Sequence, residues 1–130
     1  MLILTVRSDK PEAELGLYEN DQQLAYTTWQ AHRQLAETIH TQLKDLLESQ
    51  NRHLKDVQGI VLYKGPGSFT GLRIGFSAAN ALADSLALPI VSTNNDNWIN
   101  SGLARLQNHQ NEVIALPEYG SPPHITQPKH

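Results

Sequence analysis

The chain has no cysteine, which excludes disulfides and thiolate metal ligation and permits a reducing compartment. Clustered positive charge is also missing. Ten Lys and Arg stand against thirteen Asp and Glu, for a formal net charge of −3 and an isoelectric point near 6.0. The basic residues are scattered along the sequence, so the general footprint of a nucleic-acid-binding surface is not visible. No apolar run approaches membrane-spanning length. Met1 to Arg7 is too short for a secretory hydrophobic region and has no basic leader, and a soluble cytoplasmic protein is expected. The six histidines (32, 40, 53, 109, 124 and 130) show no H-x-x-x-H or H-E-x-x-H spacing, which leaves no sequence case for zinc or another cofactor. At 130 residues the chain can hold one domain with a real core and is short for two.

What is present is a glycine-rich turn. Ile60 to Tyr63 reads as a strand, and Gly65-Pro66-Gly67-Ser68-Phe69-Thr70-Gly71 follows it. From Leu72 the chain then runs without a helix breaker to Pro89. Strand, glycine turn and helix in that order serve either anion binding at a bare helix N-terminus or close pressing of the helix on the sheet. The dinucleotide pattern G-x-G-x-x-G fails because Thr70 stands where the third glycine belongs. The P-loop pattern fails because Leu72 stands where its lysine belongs. Arg73 could meet an anion, but a turn chosen for packing is the preferred reading. Ser68 lies outside any G-x-S-x-G elbow and has no evident base, so its hydroxyl is expected in a cap or turn.

Either side of that motif the pattern is mixed α/β. Leu2 to Val6 is predicted as a buried strand. Glu14 to Tyr18 and Leu24 to Trp29 form a hairpin about Glu19-Asn20-Asp21-Gln22. From His32 to Gln50 a helix is predicted, with Leu35, Ala36, Ile39, Leu43, Leu46 and Leu47 on one face. The helix after the glycine turn is apolar around most of its girth, with a narrow polar strip of Arg73, Ser77, Asn80 and Asp84. Such a helix is buried on more than one side, by the preceding helix, by another protein, or by both. Pro89 to Ser92 reads as a parallel strand, Thr93 to Asn97 as a cap for a helix from Trp98 to Leu106, and Val113 to Leu116 as one more strand. Trp29 and Trp98 read as core or rim residues. The expected division is a domain over residues 1–116 and a proline-rich extended tail over 117–130, with Tyr119 in the tail.

Gly65-Pro66-Gly67-Ser68-Phe69-Thr70-Gly71-Leu72-Arg73-Ile74-Gly75 resembles the signature of the TsaB (YeaZ) family, and a weaker similarity extends from Met1 to about Ser92. The resemblance implies a single ribonuclease-H-like subdomain of the actin, sugar-kinase and Hsp70 superfamily, with a mixed sheet and flanking helices. It implies a non-catalytic partner that pairs with a TsaD-type catalytic subunit in making threonylcarbamoyladenosine on tRNA. A TsaE-type ATPase could join that complex, and a homodimer could form without it. No direct tRNA binding is expected. The family's second subdomain is not expected in a chain of this length, which would then keep the docking half. Partner contact is expected from Gly71, Leu72, Arg73, Phe76, Ala79, Asn80, Ala83 and Leu86. In the superfamily an aspartate follows the first strand and orients a metal–phosphate group. Here Arg7 occupies that place and Asp9 lies two residues on, which argues against Mg-nucleotide chemistry. The alternatives are a nucleotide-binding domain using the glycine turn and Arg73, and a self-associating structural module.

Overall fold

A computed structural model describes residues 1–118. Three strands come first: β1 (Leu2–Arg7), β2 (Glu12–Glu19) and β3 (Gln22–Gln30). A 3₁₀ turn (His32–Gln34) leads into α1 (Leu35–Ser49). Then come β4 (Gly59–Tyr63), α2 (Phe69–Leu86), β5 (Ile90–Thr93) and α3 (Trp98–Gln107). The five strands form one sheet in the order β3-β2-β1-β4-β5. β1, β2 and β3 pair antiparallel, while β4 runs parallel to β1 and β5 parallel to β4. This is the mixed α/β layout expected from the order of elements and from the family resemblance.

Strand alternation sends side chains to two separate cores. Leu2, Leu4 and Val6 pack with α1 and α2 on one face, whereas Ile3, Val61 and Val91 pack with Trp98, Leu103 and Leu106 of α3 on the other. Gly102 in α3 is required there, since a methyl group at that position would overlap the side chain of Val61. α1 buries Leu35, Ile39, Leu46 and Leu47. Leu43 is half-buried, and Ala36, expected on the buried face, is exposed because it stands at the lip of a gap between α1 and α2. Trp29 is half-buried and its ring nitrogen donates to Thr38 Oγ1 at 2.9 Å. Trp98 is buried edge-on to Tyr63.

Three local expectations are corrected. Phe69, Thr70 and Gly71, placed by sequence in the turn, already belong to the first turn of α2, because Ser68 is its N-cap. Asn97 precedes α3 but caps no backbone group; its Oδ1 instead accepts from Asn100 Nδ2 at 3.0 Å. Val113 to Leu116 forms no strand. The open edge of β5, where such a strand would pair, is already occupied. Ile90 N donates to Asn111 Oδ1 (3.0 Å) and Ile90 O accepts from Glu112 N (2.8 Å). Ser92 N donates to Glu112 Oε2 and Ser92 O accepts from Arg105, both at 2.8 Å. Side chains thus protect the edge that a strand would otherwise cover. The proline-rich tail, Tyr119 included, lies outside the described residues except for Pro117 and Glu118.

Candidate functional site

The glycine motif is a packing device built against the end of β1. Gly67, Gly71 and Gly75 recur every four residues, which on a helix stacks Gly71 and Gly75 on one face with Gly67 just before it. All three meet the same two residues. A side-chain carbon at Gly67 would come within 2.8 Å of the Asp9 carbonyl oxygen, and one at Gly75 within 2.9 Å of Ser8 Cβ. At Gly71 it would overlap the Ser8 carbonyl oxygen. Backbone bonding follows the same contact, for Ser68 N donates to Asp9 O at 2.8 Å. Ser68 Oγ accepts from Gly71 N at 3.4 Å, the capping role expected of it. Gly65 has φ +109°, a left-handed value that only glycine adopts freely. The close face of the glycine motif is therefore taken up by the chain's own Ser8 and Asp9.

Electrostatics at the tip of β1 point the same way. The strand ends at Arg7, so alternation does not carry Asp9 onto the face where a superfamily aspartate would act. Arg7 instead folds back on it, with Nε to Asp9 Oδ1 at 2.8 Å, and its guanidinium lies 3.9 Å from the centre of the Tyr63 ring. Partial burial pulls the Arg7 guanidinium down, but the hydrogen bond and charge of Asp9 outweigh it and leave it above its ordinary value. The cation is committed within the chain. Among the described residues there is also no cluster of three His, Asp or Glu able to hold a metal ion, and no helix long and apolar enough to cross a membrane.

The residues expected to touch a partner divide sharply. Leu72, Phe76, Ala79 and Ala83 are 0 to 4 % exposed and pack in the core against the sheet, Ala79 alone of the four also bordering a gap beside α1. Their apolar character belongs to the chain's own core. Asn80 is also committed: its side chain donates to Ala115 O at 2.9 Å and accepts from Ala115 N at 2.8 Å. Gly71 and Leu86 are half-buried, and Arg73 is exposed.

Sequence reasoning missed the side of α2 that faces α1. Ile74, Ala78 and Leu82, all half-buried, face α1 across a gap whose other wall holds Ile39, His40 and Leu43. Leu4, Val6 and Leu15 of the sheet form its floor. The gap encloses about 310 Å³ and opens to solvent. The small residues Ala78 and Ala81 keep it open, and their spacing in the sequence was the available signal. Helices α1 and α2 thus stand side by side on the sheet with an apolar furrow between them.

The chain is similar to known proteins in both sequence and fold. Residues 29–111 match the model of the family described as TsaD, tRNA N6-adenosine threonylcarbamoyltransferase. The tRNA threonylcarbamoyladenosine biosynthesis protein TsaB of Escherichia coli is 38% identical over 69 residues, covering 49% of this chain and 30% of the relative. The tRNA N6-adenosine threonylcarbamoyltransferase of Geotalea uraniireducens is 39% identical over 64 residues, covering 49% of this chain and 19% of the relative. TsaB of Buchnera aphidicola from Acyrthosiphon pisum is 28% identical over 91 residues, covering 70% of this chain and 41% of the relative. The chain thus spans well under half the length of these curated relatives. Among solved structures, YeaZ from Pseudomonas aeruginosa superposes with a TM-score of 0.68 at 23% identity, covering 82% of this chain and 50% of that one. Thermus thermophilus RuvC superposes with a TM-score of 0.53 at 10% identity, covering 98% of this chain and 88% of that one. Both share the fold.

Proposed function

Since this chain belongs to the TsaD (tRNA N6-adenosine threonylcarbamoyltransferase) family, and within it to the TsaB (YeaZ) proteins, we propose that it is a non-catalytic docking subunit in threonylcarbamoyladenosine synthesis on tRNA. In this reading its partner is a TsaD-type catalytic subunit, and residues 1–116 form the docking domain with 117–130 as an appended tail. The observation that carries the reading is the division of labour on α2. Its glycines are locked onto Ser8 and Asp9, while Ile74, Ala78 and Leu82, beside them around the helix, border an open apolar furrow next to α1. The expected contact set therefore moves to Arg73, Ile74, Ser77, Ala78 and Leu82 of α2 with Ala36 and His40 of α1.

A furrow with apolar walls suits a helix laid along it, the manner in which helical partners bury an apolar stripe. Arg7 in place of the superfamily carboxylate supports a subunit without nucleotide chemistry. Light scattering after size-exclusion chromatography of the chain mixed with the TsaD-type protein of the same organism tests the proposal. A one-to-one complex is expected; separate elution of the two at micromolar concentration would refute it.

A further inference from the structure

The sequence scatters its basic residues, but the fold gathers them. The furrow between α1 and α2 is flanked by further hollows along α1, which share lining residues with it. One opens between the 3₁₀ turn and the start of α2, and another between α1 and the Arg52-His53-Leu54 segment. Along this trough the walls include Lys10, Arg33, Lys44, Arg52 and Arg73, with His32, His40 and His53 between them. Glu48 is the one Asp or Glu on its walls, although the chain carries thirteen and is net acidic. Lys10 is paired with Glu14 and Arg52 with Glu19. Arg33, Lys44 and Arg73 form no ion pair among the described residues, and all three are exposed.

We infer that this basic-rimmed trough selects a protein partner whose docking helix carries Asp or Glu on both sides of an apolar stripe, in preference to a second copy of this chain. The inference rests on the docking reading above and specifies the partner's chemistry. Charge complementarity across an interface favours encounter and excludes wrong partners, while like charges brought face to face are penalised. Two copies related by a twofold axis would set the same basic rim against itself. The apolar floor of Leu4, Val6, Leu15 and Leu82 favours a protein over a nucleic acid, which needs the cations but not the floor. The walls also lack Phe, Tyr and Trp, the platforms on which single-stranded bases stack.

The test measures binding of the full chain to the TsaD-type protein of its organism at low and high salt. It compares wild type with Lys44→Glu/Arg73→Glu and with the charge-conserving Lys44→Arg/Arg73→Lys. Neither residue has an ion-pair partner among the described residues, and thermal melting checks that each variant is folded. Wild-type affinity should fall with salt, the charge reversal should weaken binding by about tenfold or more, and the conservative pair should bind as wild type. Salt-insensitive binding that survives charge reversal would overturn the inference and leave the docking reading intact. Absence of wild-type binding at either salt would instead defeat the docking reading itself. A wild-type homodimer that persists in the partner's presence, or a tRNA retained in place of the protein, would overturn the inference in favour of that occupant.

Discussion

Gly71 lies directly against Ser8, so closely that a methyl group at Gly71 would overlap the Ser8 carbonyl oxygen. The obstacle is backbone, which cannot rotate away. Alanine in place of glycine ordinarily stabilises a helix interior by roughly 0.5–1 kcal/mol. Here the overlap reverses the sign. Gly71→Ala should destabilise the chain by about 1–3 kcal/mol, the usual cost of overpacking, read by urea unfolding. A variant as stable as wild type would mean that α2 is not held to β1 in this way.

Thr5 presents the opposite case. It is fully buried beside Gly16 and the Tyr26 ring, and its hydroxyl has no hydrogen-bond partner among the described residues. Thr5→Val keeps the shape and removes the unpaired group, so it should stabilise by about 1–3 kcal/mol. A measured loss of stability would show that the hydroxyl is satisfied in solution.

Tyr26 carries the clearest pH signature. Burial, and then the hydrogen bond to Glu14, hold its phenol well above the ordinary range. The folded state therefore keeps a proton that the unfolded state loses above about pH 10. That contribution is fully present below pH 10 and is lost as pH rises further. Tyr18 is raised in the same direction by burial and leaves a residual slope. Unfolding free energy measured from pH 8 to 11 should fall less steeply in Tyr26→Phe than in wild type. Equal slopes would contradict the assignment.

Asn80 and Glu112 together fix the segment after α3. Asn80 holds both backbone groups of Ala115, and Glu112 holds Ser92 N and Ser92 Oγ. Asn80→Ala should speed amide exchange at Ala115 while leaving Ile90 protected. Glu112→Ala should cost about 1–3 kcal/mol by stranding Ser92 and Arg105. Unchanged exchange at Ala115 in Asn80→Ala would show that the clamp is not what holds it.

Much of the fold was legible because its signals are local. The short apolar run of Leu2 to Val6, the Asn20-Asp21 turn and the periodicity from Leu35 to Leu47 each specify an element without reference to distant residues. Val113 to Leu116 misled because β propensity cannot show that Asn111, Glu112 and Arg105 have already taken the edge of β5. The site was half legible. The glycine spacing announced a close approach, but not that Ser8 and Asp9 are what it approaches. Phe76 and Ala83 are apolar whether they face a sheet or a partner, and only the fold shows that they face the sheet. The basic trough was invisible because Lys10, Lys44 and Arg73 are far apart in sequence and meet only after α1 and α2 pack.

Hydrogen–deuterium exchange of the chain, alone and with the TsaD-type protein, tests the docking surface most directly. New protection is expected in 36–47 of α1 and 73–82 of α2, with β3 and α3 unchanged. Protection confined to β3, to α3 or to the Asp9–Ser68 contact, with α1 and α2 exchanging as freely as in the isolated chain, would contradict it.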